Sequence, residues 1–322
     1  MSFNGSGREF LVNLWLGREG IIGRELGLEL KDVQYEKHYP GMRIDMYAHD
    51  SNLGTEVFVE NLLLKSDKTH QKRILKIIDM IGSGIIVYIA SAFHDKHVKE
   101  LQVAVKKSGK PIKLYFAEIN PNIFAPLQRL NQMHKLKVYD SLHMLNIDNP
   151  IRFLVKKSIV QPIAKNLVCE VNIDDFETRE ENNEFLLKTL RYRIPYFLTF
   201  HRQKSQKLRI LSLGAGRSDC NYYISLSDRR NIAFVELRFS DNNSIIYDAI
   251  KGKEEVVQER FGGLVKFKDN SISVKFKPLG NVEDTINKLV DIFGKMIIAF
   301  SNYTYYFYDD TKQMWHYHEK GI

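Results

Sequence analysis

The chain has 322 residues and a mass of 37.6 kDa, about twice a typical single domain, so two domains are expected. Its 44% hydrophobic and 11% aromatic content supports substantial cores and excludes disorder, collagen-like repeats and low complexity. No apolar run approaches the ~18 residues of a membrane span, the polar start from Met1 to Arg8 carries no apolar signal segment, and Cys169 and Cys220 are too few for a disulfide framework or a cysteine zinc site. A reduced cytoplasmic setting without membrane contact is therefore expected, and a net charge of +8 admits a polyanionic partner.

Residues Arg18 to Leu30 place Ile21, Ile22 and Leu26 at helical spacing, with Glu25 on the flank. Three strand-like runs follow: Val33 to Tyr39, ending at Pro40-Gly41; Met42 to Ala48, with Arg43, Asp45 and Tyr47 on one face; and Thr55 to Leu62 after a polar turn. Asp67 reads as the N-cap of a helix whose stripe is Ile74, Leu75, Ile77, Ile78 and Ile81. The run Ile85 to Ala90 is continuously apolar, as a strand covered on both faces should be. A helix over about 95–107 and a strand over 113–119 complete an order α-β-β-β-α-β-α-β, a mixed sheet with an antiparallel front and parallel crossovers.

Four prolines punctuate 121–173; Val138-Tyr139 reads as a last edge strand and Ile151 to Val160 as another. The acidic run from Asp174 to Glu184 reads as a solvated linker. The expected organisation is a first domain over 1–140, a connector over 141–184 and an α+β domain over 185–322. In the last, a helix begins at Glu184, strands are expected near 209–213, 221–226, 232–239, 265 and 274, and helices over 244–260 and 282–300. Gly214-Ala215-Gly216 is a hairpin turn rather than a phosphate loop, because no Gly-Lys-Ser/Thr follows and a strand comes next. The tail Tyr303 to Tyr308 reads as a buried strand or helix end, or an oligomer contact.

The chemistry lies in the front hairpin. Asp45 sits within one strand and Glu60 near the end of the next; neighbouring strands run ~4.8 Å apart, so carboxylates facing one way can converge on one cation. Two hard oxygen ligands beside an open face suit Mg²⁺, which keeps several waters and accepts phosphate oxygens. The bland alternative is a strand-end carboxylate that is solvated or paired with an arginine such as Arg43. If the two carboxylates are locked onto arginine with no room for a cation, only a binding role survives.

The stretch Arg18 to Ile119 resembles the PD-(D/E)XK nuclease superfamily, and within it a prokaryotic branch whose strand motif reads Glu-Asn-Gln. The resemblance is carried by Gly23-Arg24-Glu25-Leu26-Gly27-Leu28, Arg43-Ile44-Asp45, Val57-Phe58-Val59-Glu60-Asn61 and Ser66-Asp67-Lys68-Thr69-His70, with Ile86 to Ala90 and Tyr115 to Ile119 as later strands. It implies a restriction-endonuclease-like α/β first domain and a DNA endonuclease activity dependent on Mg²⁺ or Mn²⁺, with a place in prokaryotic defence or restriction. By the same resemblance Asp45 and Glu60 are the metal ligands, Glu25 supports the ion through water, and His70 has a catalytic role. One departure stands out: Leu62 occupies the position where the family has Lys or Gln. That role would pass to Lys65, Gln71 or Arg73, or cleavage would be lost and a DNA-binding or assembly subunit would remain.

The second half resembles a domain of unknown function often fused behind such nuclease-like domains, most clearly at Ala233 to Leu237 and Glu259 to Leu264. From Phe185 to Ser218 it carries eight basic residues and no acidic one, among them Arg191, Arg193, Arg202, Lys204 and Lys207, interleaved with Tyr192, Tyr196, Phe197 and Phe200. Such a stretch could neutralise phosphates and stack on unpaired bases, or its aromatics could be core and its charges a solvated face. DNA is the expected partner; RNA stays open, because a two-carboxylate site reads phosphates rather than sugars. A homodimer or a partner protein of a defence system is also admitted.

Overall fold

A computed structural model describes residues 5–39, 41–154, 178–202, 206–218 and 220–306. The chain divides into two compact units, one built on residues up to 133 and one on those from 204 onward, with the intervening segments shared between them.

The first unit opens with α1 (Gly5–Arg18) and α2 (Ile21–Leu26) and continues through β1 (Leu30–Tyr39), β2 (Met42–Asp50), β3 (Thr55–Lys65), α3 (Lys68–Met80), β4 (Gly84–Ala92), α4 (Asp95–Ser108) and β5 (Ile112–Ile119). After α5 (Phe124–Gln132) and α6 (Lys135–Val138), a short β6 (Ile151–Phe153) closes the sheet. The six strands lie in sequence order; β3, β4 and β5 run parallel and the other neighbours pair antiparallel.

Local chemistry accounts for most of these elements. Every residue of β4 from Gly84 to Ala90 is buried, which is what an uninterrupted apolar strand requires. Asp67 caps α3 by accepting from the His70 amide, and Ile74, Ile77 and Ile78 of that helix pack on Phe58, Ile86 and Tyr88 of the sheet. Gly27, with φ 66°, ends α2 in the left-handed conformation.

Two features of this unit differ from the sequence reading. Helix α1 was not expected: its run Phe10-Leu11-Val12 and Leu14-Trp15-Leu16 is buried almost all round, so the residues lack a one-sided stripe. Val138-Tyr139 is not a strand; it closes α6 and leads into a 3₁₀ turn over Asp140–Leu145, while the edge strand is β6, pairing Ile151 with Ile119.

The second unit contains α7 (Arg179–Arg193), β7 (Leu211–Gly214), β8 (Cys220–Ser225), β9 (Ala233–Phe239), α8 (Ser244–Lys251), α9 (Glu254–Arg260), β10 (Val265–Lys268), β11 (Ser271–Phe276) and α10 (Val282–Tyr306). Its strands form an antiparallel sheet in the order β10-β11-β9-β8-β7. Phe197, Phe200, Tyr222 and Phe293 form the centre of its core. Residues 178–184, read above as the end of a linker, instead open α7: Thr178 and Glu181 form a capping box that offsets the lack of apolar periodicity there. The helix expected over 244–260 is two helices broken at Gly252-Lys253. Gly216 has φ 114° and lies where a Cβ would meet the Tyr305 ring at 2.5 Å, so the β7–β8 hairpin needs glycine there. Residues 155–177, Lys204, and Phe307 with Tyr308 of the aromatic tail lie outside the described residues.

Candidate active site

Strands β2 and β3 pair from Met46–Val59 to Asp50–Thr55. Asp45 and Glu60 stand immediately beyond that ladder. The Asp45 carboxylate takes over as acceptor there: Oδ2 receives the Asn61 backbone N–H at 3.0 Å. Side-chain alternation turns Glu60 to the face of Phe58 and Leu62, toward α3, and Asn61 to the opposite face. Asn61 there donates through Nδ2 to the Glu9 carbonyl at 3.5 Å.

From α3, Arg73 reaches both carboxylates. Its Nη2 donates to Asp45 Oδ1 at 3.3 Å and to Glu60 Oε1 at 3.2 Å, and also to the Arg43 carbonyl. Its Nε lies 3.0 Å from Glu60 Oε2 but off the hydrogen-bond direction, so Oε2 is a buried oxygen with charge compensation and no hydrogen bond. One guanidinium nitrogen therefore lies between an oxygen of each carboxylate, the arginine-held arrangement that the sequence reading ties to a binding role unless a cation takes the place of Arg73. Arg43, the partner suggested by proximity in sequence, faces Glu36 instead at 3.7 Å.

Burial sets the acidity of the carboxyl groups around Arg73. Glu60 is fully buried; burial, with the Asp45 charge and more weakly that of Glu9, outweighs Arg73 and raises its pKa well above the ordinary carboxylate value. Glu9, on α1, receives the Leu63 N–H at 3.4 Å, and burial together with the Asp45 charge raises its pKa too. The tyrosine beside Glu60 on the neighbouring strand, Tyr88, is buried among them, and burial with the charges of Asp67 and Glu60 raises its phenol.

Asp67 and His70 form a second group. Both Asp67 oxygens lie 3.0–3.1 Å from His70 Nδ1. A carboxylate only accepts, so the proton sits on Nδ1 and Nε2 is left as the basic nitrogen. Burial pushes Asp67 up, but the His70 amide and ring outweigh it and hold the carboxyl below its usual value.

The remaining sequence-nominated residues are placed elsewhere. Glu25 is exposed on α2, and the acid coupled to the pair is Glu9, which no spacing argument singled out because α1 itself was not foreseen. Lys65 is exposed at the end of β3, past a register shift that begins at Leu62. Leu62 is buried in the core shared with α3. Gln71 binds Glu100 of α4. In the second unit, Arg191 donates to the Phe200 carbonyl at 2.7 Å and Arg193 pairs with Asp291 at 2.6 Å, while Phe197 and Phe200 are core. Lys207 and Tyr192 are exposed. Arg202, grouped with the first unit, lies over the Phe10 ring and 3.7 Å from Glu36.

Among the described residues no three acidic, histidine or cysteine side chains form a complete cation cage. The donor set still fits a hard cation in kind: carboxylate oxygens from two adjacent strands bracket one cationic nitrogen, and one buried oxygen has no hydrogen bond. No helix among the described residues is long and apolar enough to cross a membrane.

No family model matches the chain, and no curated protein matches it. Among solved structures it is similar in part to a repair endonuclease from Pyrococcus abyssi, at 20% identity over 38% of this chain and 50% of that one, with a TM-score of 0.28. It is similar also to Pyrococcus furiosus SfsA in complex with Ca²⁺, at 18% identity over 33% of this chain and 55% of that one, with a TM-score of 0.23. The chain thus spans about half the length of each of these two proteins.

Proposed function

We propose that the first unit hydrolyses phosphodiester bonds in DNA with a divalent cation, Mg²⁺ or Mn²⁺, held by Asp45 and Glu60. The observation that carries the reading is the convergence of these two carboxylates, one fully buried, on a single cationic nitrogen. A bound divalent ion would polarise the phosphodiester and acidify an attacking water.

The protein's own groups have separable tasks in this reading. Arg73 neutralises the carboxylates in the free protein. With a cation held by Asp45 and Glu60, Arg73 would be free to meet the phosphate and supply the positive charge that Leu62 cannot. Glu9 adds negative charge that favours cation uptake. His70, with Nδ1 held by Asp67, offers Nε2 as a proton acceptor. A prokaryotic defence role rests on the family resemblance alone.

A second reading is favoured by two specific observations, the Arg73 clamp and the apolar residue at position 62. In it the same unit binds nucleic acid without cutting it. Nicking of plasmid and single-stranded DNA with Mg²⁺ or Mn²⁺, compared with Asp45→Ala, separates them. Metal-dependent nicking lost in the variant supports the hydrolase. Binding with no cleavage under any divalent ion overturns it and leaves the second reading.

A further inference from the structure

Besides the basic stretch over 185–218, the chain gathers positive charge in one crossover of the first unit. Residues 1–64 carry six Lys and Arg against ten Asp and Glu, whereas residues 65–113 carry eleven against four. That second stretch is the end of β3, then α3, β4 and α4, and the start of β5. Its excess is seven positive charges.

Ten of these eleven basic side chains divide by task, the eleventh being the half-buried Lys113 of β5. Arg73 serves the carboxylates, Lys76 donates to the Gly41 carbonyl, Lys110 donates to the Ile78 and Asp79 carbonyls, and Lys96 faces Glu100. Six others, Lys65, Lys68, Lys72, Lys99, Lys106 and Lys107, are exposed and make no ion pair or hydrogen bond within the described residues. Lys68 and Lys72 are one helical turn apart on α3, on the flank away from the buried Ile74, Ile77 and Ile78. On α4, Lys99 and Lys106 stand seven residues apart, away from buried His97 and Leu101. The two helices pack together, joined by the Gln71–Glu100 hydrogen bond, so their outward faces form one lysine-lined layer. Arg73, on the same helix as Lys68 and Lys72, links this layer to the carboxylates.

We propose that the outward face of α3 and α4 is the surface on which double-stranded nucleic acid lies, held by its phosphates and without regard to sequence. Unpaired exposed lysines are the chemistry of backbone neutralisation with counterion release. The choice of a duplex over a single strand rests on what the layer lacks. Neither α3 nor α4 carries a Phe, Tyr or Trp, Tyr88 is buried and Phe93 packs edge-on against Tyr88 and Phe116, so these two helices offer no such ring for base stacking. The inference shares its partner class with the nuclease reading but does not need cleavage.

The test measures binding in the Asp45→Ala background with EDTA present, so that cutting plays no part. Fluorescence anisotropy with a labelled 30-bp DNA duplex is compared between that protein and the same protein carrying Lys68→Ala, Lys72→Ala and Lys99→Ala. A loss of about tenfold or more in affinity is expected, with the slope of log K against log salt reduced by about 2 to 3. A control with Lys251→Ala, Lys253→Ala and Lys277→Ala, exposed in the second unit, should change affinity far less. Unchanged binding in the first triple variant, an equal loss in the control, or tighter binding of the single strand than of the duplex overturns the proposal. If the wild type cuts DNA and the first triple variant binds normally, this proposal fails and the hydrolase stands; the reverse outcome separates them the other way.

Discussion

Arg73 decides the electrostatics of the site at the scale of single residues. Its half-exposed guanidinium (side chain 29% accessible) is the only arginine or lysine contact of fully buried Glu60 among the described residues. Removing it leaves a buried carboxyl that must take up a proton or stay uncompensated in the interior. Arg73→Ala should cost about 2–3 kcal/mol, less than the fully buried case because the arginine is partly solvated, read as a lower urea midpoint at unchanged m. Added Mg²⁺ should recover part of that loss if the carboxylates take the cation.

Glu60 and Glu9 make the second residue-scale expectation, one of pH. Both hold their protons in the folded protein to a higher pH than the ordinary glutamate value of 4.5. Between that value and their raised folded values the native state binds more protons than the unfolded chain, so stability falls as pH rises. The thermal midpoint in EDTA should therefore decline on going from acid toward neutral pH, and Glu60→Gln should flatten the decline. A wild-type profile that parallels the variant's across that range would remove Glu60 as its source.

At the scale of elements, α3 connects the core, the cap and the site. Asp67→Ala removes its N-cap and should cost about 1 kcal/mol while releasing the His70 ring. Leu62 belongs to the core between β3 and α3. Leu62→Ala should cost about 2–4 kcal/mol by leaving a cavity, and chemical denaturation reads both losses. Helix α1 teaches a different lesson. Its all-round burial erased the one-sided pattern that reveals a helix, and with it went the only sequence route to Glu9.

For the whole molecule, the two units have separate sheets and separate aromatic cores. Phe293→Ala, at the junction of Phe197, Phe200 and Tyr222, should cost about 3–5 kcal/mol. Hydrogen exchange should show the loss as faster exchange across β8, β9 and β11, with β3 and β4 protected as before. The basic residues of 185–218 illustrate how charge counting along a chain misleads at this scale: Arg191 and Arg193 are spent on the Phe200 carbonyl and Asp291, whereas Lys68, Lys72, Lys99, Lys106 and Lys107 of α3 and α4 are exposed.

Strand β4, helix α3 with its Asp67 cap, and the hairpin that sets Asp45 against Glu60 were all legible in the sequence, because periodicity, caps and turns are written in neighbouring residues. The interleaved aromatics of 185–218 could be read equally as core or as a stacking surface, and only folding placed Phe197 and Phe200 inside. The partner of the two carboxylates, the arrival of Glu9 beside them and the gathering of unpaired lysines on one face were likewise decided by tertiary structure. Each depends on side chains far apart in sequence meeting through the packing of helices on a sheet, and no local pattern records which of several arginines or acids that packing will bring together.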